Sequence, residues 1–293
     1  MKKFIILFVL LFFCLGLKSE TKRALTVFIG KYPANSGWKN IASSNDKIII
    51  LNMLHINGFS DKDIICLENE QATHASIIRC LEDLTSSIQR GDIVYIHFSC
   101  HGQQITDQDG DESFSGQKEE YDSSLIPFDA LPQYGMNGYQ GNNHLLDDTL
   151  NKYLTRMSDK IGKNGTLIVV LDACHSGDGT RLFEEEDSFH YRGIFDRFEQ
   201  PRIWGPRAKQ ANQVNWVALS ACTSIQNNYE VCVDGMQYGR LSYAISQCLS
   251  PGITTSALIK ALNSKYEHMP IPKKRRQTLS YDYPKAYETK VLL

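Results

Sequence analysis

Five short apolar runs punctuate the chain: "ALTVFIG" (24–30), "DIICLEN" (63–69), "DIVYIHFS" (92–99), "TLIVVLDA" (166–173) and "NWVALSA" (215–221). Their apolar residues run on without the alternation of a half-exposed strand, which is the pattern of strands buried on both faces of a parallel sheet. Between them apolar residues return at helical spacing. The stretch 45–58 ends on Gly58, a helix stop. The stretch 73–91 opens on Thr73, a capping residue, and closes on Gly91. The stretch 146–162 starts with acids and ends with Lys160 and Gly162, as the helix dipole favours. Segments 239–250 and 254–266 supply two more helices. Strands alternating with helices predict an α/β fold, with a mostly parallel sheet and helices on both faces.

In such sheets a ligand sits beyond the carboxyl ends of the strands. That rule picks out "SCHG" (99–102), "DACHSG" (172–177) and "SACTS" (220–224). Two connections are too long for simple turns, 103–145 and 177–213. The second carries the acidic run 184–187 and then Arg192, Arg197, Arg202 and Arg207. No internal repeat and no domain boundary is evident, so 20–293 is expected to be a single domain.

The first nineteen residues stand apart. Lys2 and Lys3 precede an apolar run from Phe4 to about Leu17, the n-region and h-region of a secretory signal, with cleavage near Gly16 or Ser19. The run is short for a membrane span. Phe12 and Phe13 stand before Cys14 where a lipid-attachment site has small residues. The expected location is therefore secreted or periplasmic, without a lipid anchor and without membrane attachment once the signal is removed. Its removal takes three of the 31 basic residues and none of the 33 acids, moving the formal charge from −2 to −5. A mildly acidic exported protein is a poor nucleic-acid binder, and the basic run 273–276 reads as a solvated stretch. Of eight cysteines, Cys14 leaves with the signal. Export permits disulfides among the other seven, but an odd number leaves a free thiol, and without a CxxC pair a zinc ribbon is disfavoured. Most read as small buried hydrophobes.

If the third and fourth strands are neighbours, His101 and Cys174 face each other across one crevice. A thiol and an imidazole make a nucleophile and a general acid–base. Gly102 and Gly177 allow close backbone approach to a substrate, and backbone N–H groups at strand ends can form an oxyanion hole. A metal site built from Cys100, His101, Cys174 and His175 is disfavoured, because adjacent strand residues point to opposite faces.

The segments "YIHFSCHG", "DQDGDE", "YDSSLIPFD", "LLDDTL" and "LIVVLDACHSG" resemble the caspase-like cysteine peptidases of the metacaspase and paracaspase branch, in order and spacing from about Ala24 to Leu249. The resemblance implies a caspase-like (caspase-hemoglobinase) sandwich with a central sheet of about six strands. It implies a His101–Cys174 dyad, an oxyanion hole from the amides of Gly102 and Cys174, and an S1 pocket of Asp46, Ser99 and Asp172. The substrate is then a peptide or protein cut after Arg or Lys through a thioester, its backbone added as a strand along 220–224. His175 is structural in that family, and the expected state is a monomer. A carboxylate-lined pocket suits a basic side chain, though Asp46 also reads as a helix cap.

Two departures bear on the expectation. Cys100 stands where the family usually has glycine, placing a second thiol beside His101. Asp122, Asp147 and Asp148 match three of the four aspartates that hold calcium in many relatives, while the fourth position is Arg181, with Asp178 nearby. Asp147 and Asp148 read equally as first-turn helix acids. No cofactor is expected to be required, and calcium stays open. The leading expectation is an exported cysteine endopeptidase. The alternatives are a caspase-like binding scaffold without turnover and a hydrolase of small amides or esters.

Overall fold

The computed structural model describes residues 20–108, 113–114, 117–118, 121–174, 191–193, 196–202, 214–223, 226–270 and 276–293. The leader with Cys14, and His175, Gly177, Asp178, Arg181, the acidic run 184–187, Arg207 and 273–275, lie outside the described residues.

The five apolar runs form β1 (Lys22–Phe28), β2 (Ile64–Glu68), β3 (Ile93–Ser99), β9 (Thr166–Asp172) and β10 (Val217–Ser220), and all five run parallel. The five helical stretches form α1 (Ser43–Ile56), α2 (His74–Ser87), α3 (Asp147–Ile161), α4 (Arg240–Cys248) and α5 (Thr255–His268). A sixth strand, β13 (Ser280–Asp282), pairs antiparallel with β10 and closes one edge of the sheet, whose order is β13-β10-β9-β3-β1-β2. Three residues are too few for a periodicity to show, so this strand has no sequence signature. Among the described residues, no helix is long and apolar enough to cross a membrane.

Period-two alternation divides each central strand between two cores. Val94, Ile96 and Phe98 of β3 and Leu167 and Val169 of β9 pack with Ile77, Leu81 and Leu84 of α2 and Leu150, Leu154 and Met157 of α3. Ile93 and Tyr95, with Ile168 and Val170, pack with Ile50 and Leu54 of α1, Leu241 and Ile245 of α4 and Leu258 and Leu262 of α5. The strands are apolar throughout because both faces are covered. The Thr73 hydroxyl caps α2 by accepting the Ser76 N–H at 3.2 Å.

The connection 103–145 is structured. β4 (Gly102–Thr106), β7 (Tyr121–Leu125) and β8 (Leu145–Leu146) form a small antiparallel sheet, and β5 (Ser113–Phe114) pairs with β6 (Gln117–Lys118). β11 (Glu230–Val233) and β12 (Met236–Gly239) make a hairpin that leads into α4. Part of the second long connection lies alongside β4. The Phe198 N–H donates to the Gln104 carbonyl at 2.8 Å, and the Thr106 N–H donates to the Phe198 carbonyl at 3.1 Å. The Phe198 ring is fully buried against His144 and Tyr139, with centroids 4.6 and 5.7 Å away. Truncation of Phe198 to alanine should lower the unfolding free energy by about 3–4 kcal/mol in urea titration, as for other fully buried phenylalanines.

Candidate active site

Adjacency of β3 and β9 builds the crevice. Their register pairs Ser99 with Asp172, and alternation turns both toward the α1 and α4 side of the sheet. His101 and Cys174 each follow two residues later, at the carboxyl ends. At Gly102 the backbone turns tightly past Cys174: a Cβ here would lie 1.9 Å from the Cys174 carbonyl oxygen. Only glycine permits that approach.

His101 is held on all sides. Its ring stacks on Trp38 with centroids 5.1 Å apart and tilts against Tyr32 at the same distance. Its backbone N–H donates to the Tyr32 hydroxyl at 3.1 Å, and that hydroxyl donates to the Ile126 carbonyl at 3.0 Å. Nε2 lies 2.7 Å from the Lys39 carbonyl oxygen. A carbonyl only accepts, so Nε2 carries the hydrogen and Nδ1 presents a lone pair. Among the described residues Nδ1 has no hydrogen-bond partner. Burial pushes the ring down to about 4, so it rests neutral with Nδ1 unprotonated.

The space beyond Ser99 and Asp172 is filled by an arginine of the same chain. The Arg192 side chain is fully buried. Its Nη2 lies 2.7 Å from Asp46 Oδ2 and 3.0 Å from Glu230 Oε1, and its Nη1 lies 3.8 Å from Asp172 Oδ1. Nη1 also donates to the Ser99 hydroxyl at 2.7 Å. The carboxylates are fixed by further donors. Asp172 accepts from the Asn228 amide and from both the N–H and hydroxyl of Ser242, each at 2.7 Å. Ser242 lies in the first turn of α4, where N–H groups favour a negative charge. Asp46, in the first turn of α1, accepts from Ser99 and from the Gly239 N–H. Glu230 Oε1 accepts from the Ala42 N–H at 2.7 Å. Burial works against the charge on Asp172, but Arg192, Asn228 and Ser242 outweigh it and hold that carboxyl below its ordinary range. Burial lifts Asp46 to about 6 against the pull of Arg192.

The arginine backbone is held as closely as its side chain. The Arg192 carbonyl oxygen accepts from the Cys174 N–H at 2.9 Å and from the Gly102 N–H at 3.3 Å. The Arg192 N–H donates to the Asn228 carbonyl at 2.9 Å, and Tyr191 bridges Tyr229 in antiparallel register. Gly193 then passes directly over the thiol: a Cβ on it would lie 2.7 Å from Cys174 Cβ and 3.2 Å from Sγ. Cys174, the three residues picked out for the pocket and both amides picked out for the oxyanion thus meet at one peptide unit, with His101 next to Gly102 in the chain. The strand partner of that peptide is Asn228–Tyr229 rather than 220–224. Ser220 cannot serve, because β10 is already paired with β9 on one side and β13 on the other.

Glu230, Gly239, Asn228 and Trp38 escape sequence reasoning. None sits in a motif; each reaches the site by chain topology alone. Gly239 forms a wall of the pocket, where a Cβ would lie 2.2 Å from Asp172 Oδ2 and 2.5 Å from Arg192 Nη1. Arg192 was one of four loop arginines with nothing local to single it out. Of the others, Arg197 lies over the Tyr121 ring at 4.3 Å and Arg202 is exposed. Cys100 packs in the core on the α2 and α3 side, and burial pushes its thiol up to about 12. Among the described residues the seven cysteines form no disulfide with one another; four are buried and Cys232 is exposed. Asp122 lies on β7, and Asp147 and Asp148 open α3. Among the described residues, no group of three or more metal-ligating side chains comes together.

A family model for the metacaspase, peptidase C14 domain matches residues 22–182. The chain belongs to the metacaspase family. Metacaspase III c from Phaeodactylum tricornutum is 26% identical over 192 residues, which cover 63% of this chain and 52% of that one. Metacaspase-1B from Aspergillus oryzae is 30% identical over 145 residues, 47% of this chain and 30% of that one. The chain therefore spans about half or less of these curated metacaspases. Two solved structures share the fold. A protein from Geobacter sulfurreducens superposes with a TM-score of 0.60 at 17% identity, covering 92% of this chain and 97% of its own. Caspase-1 from Spodoptera frugiperda gives 0.55 at 11% identity, covering 90% and 86%. The family-model match stops at residue 182, before Arg192, Gly193, Asn228, Glu230 and Gly239.

The buried histidines set a pH dependence. Burial is the main cause that takes His97 down to about 3 and His101 and His144 to about 4. Unfolded histidine titrates near pH 6.5, so between about pH 6.5 and 4 the unfolded chain binds more protons and stability falls as pH falls. Asp46 opposes this with one proton, held in the fold up to about pH 6. The net difference is about two protons, or ~3 kcal/mol of unfolding free energy per pH unit between about pH 6 and 4.5. Urea midpoints measured across that range should drop steeply; a flat profile would mean that the histidines charge inside the fold.

Proposed function

We propose that this metacaspase-family chain is an exported cysteine endopeptidase that cleaves after basic residues through His101 and Cys174, and that its first substrate is its own Arg192–Gly193 bond. One observation carries the reading. A basic side chain lies buried among Asp46, Asp172 and Glu230 while its carbonyl oxygen accepts from the N–H groups of Gly102 and Cys174. The side chain is in a specificity pocket and the adjoining carbonyl is polarised for attack.

The chemistry follows from that placement. Cys174 Sγ attacks the carbonyl carbon and its proton passes to His101 Nδ1. Negative charge gathers on the carbonyl oxygen, where the two backbone N–H groups already point and need no reorganisation. Collapse breaks the C–N bond, and His101 gives its proton to the departing amine, leaving a thioester on Cys174. Water then attacks the thioester with His101 as base, releasing a carboxylate and restoring the thiol. Trp38, Tyr32 and the Lys39 carbonyl keep the ring in the required tautomer through both steps. No step passes through a metal. The leader segment supports export.

Two measurements test the reading. Purified wild type should divide at 192/193 on intact-mass analysis, whereas Cys174→Ala should remain whole; identical masses would remove self-cleavage. Gly239→Ala retains a backbone conformation open to alanine, with φ −62° and ψ 136°. Its methyl group would intrude on the basic side chain, so turnover of fluorogenic arginine peptides should fall by about 100-fold or more, the loss expected when a buried polar pocket is left without its partner. Unchanged turnover would place the pocket elsewhere.

A further inference from the structure

We propose that the substrate of this site is the Arg–Gly bond specifically: lysine is rejected at the position before the cut, and any residue with a side chain is disfavoured after it. This rests on the peptidase reading above and deepens it. The selectivity falls on Glu230 and on the crowding between Gly193 and Cys174; Glu230 and Gly193 lie beyond the residues that the family model matches.

The pocket is built for two terminal nitrogens rather than one charge. Arg192 Nη1 donates to the Ser99 hydroxyl at 2.7 Å and faces Asp172, while Nη2 reaches Asp46 at 2.7 Å and Glu230 at 3.0 Å. Three carboxylates therefore surround one planar fork, in a site shut off from water. A lysine ammonium is a single point on a flexible stem. Wherever it settled, it would leave a buried carboxylate on the far side without its cation, which costs far more than the lost contact. Glu230 makes the difference. It is tethered by the Ala42 N–H on the opposite side of the fork from Asp172, so the pair cannot close on one nitrogen.

The position after the cut is restricted by space. Gly193 has no positive φ, so backbone freedom does not explain the glycine. An added Cβ would lie 2.7 Å from Cys174 Cβ, 3.0 Å from the Gly102 carbonyl oxygen and 3.2 Å from Cys174 Sγ. The first two are anchored by the strand ends and the third is the nucleophile. Relief would require the peptide to lift away from the thiol, and catalytic rate falls steeply with such misplacement.

The test compares four short peptides that differ only at the cut, Arg–Gly, Lys–Gly, Arg–Ala and Lys–Ala, on wild-type protein that has already processed itself. The expected kcat/KM for Arg–Gly exceeds that for Lys–Gly by about 100-fold or more, and that for Arg–Ala by about 10-fold. In Glu230→Gln the Arg-to-Lys ratio should contract by about 10-fold or more. That ratio would not move if Glu230 only supported the fold. In parallel, Arg192→Lys and Gly193→Ala chains are followed by intact mass and should divide at least about 10-fold more slowly than wild type. Equal turnover of Lys–Gly, or of Arg–Ala, overturns the proposal. A wild-type chain that divides at Arg192–Gly193 while treating all four peptides alike loses only this selectivity. A chain that stays whole and turns over none of them loses the peptidase reading itself.

Discussion

A guanidinium enclosed by carboxylates, out of reach of water, is the constraint on which the site depends. Each ion of such a cluster costs several kcal/mol to bury, and attraction offsets that cost only where the geometry is good and further hydrogen bonds support the charged groups. The chain supplies those partners from five directions. Asp46 comes from the start of α1, Ser99 from the end of β3, Asp172 from the end of β9, Glu230 from β11 and Arg192 from the long connection. Gly239 supplies empty space and α4 supplies its first-turn N–H groups. The cage therefore ties together elements that are remote in sequence, and it places the Arg192 carbonyl against Gly102 and Cys174 as a by-product of satisfying its own charge.

The central sheet was legible because its strands are covered on both faces. "TLIVVLDA" and "DIVYIHFS" are long enough apolar runs that no alternative fits, and the helix boundaries at Thr73 and Gly162 follow from capping chemistry. The small sheet of β4, β7 and β8 was not legible, because buried Gln103, Thr106, Asp122 and Ser124 interrupt its apolar positions. Gln103 is 1% exposed yet donates to the carbonyls of Pro132 and Asp196, and Ser124 donates to the Gln103 carbonyl. A strand stabilised by side-chain-to-backbone hydrogen bonds carries no hydrophobic period to read.

The site divides along the same line. His101 and Cys174 sit in boxes whose order and spacing can be recognised, and Ser99 and Asp172 are fixed relative to them by strand geometry. Glu230 and Asn228 have no such tether. They arrive through a hairpin whose position depends on how α4 packs against α1 and β9, which is a property of the whole fold. The same holds for Trp38, which looks like an ordinary core aromatic until the histidine it stacks on is located.

Phe198 gives the arrangement a further property. It is locked beside β4, five residues beyond Gly193, so the new amino terminus of a chain severed there would not diffuse away. Its amine would remain near the thioester at an effective concentration far above that of any free peptide. If the Arg192–Gly193 bond is cut as proposed, scission and religation would compete at the same centre, and the event that commits the chain would be the withdrawal of Arg192 from its carboxylate cage. The ion cluster, rather than the peptide bond, is the latch.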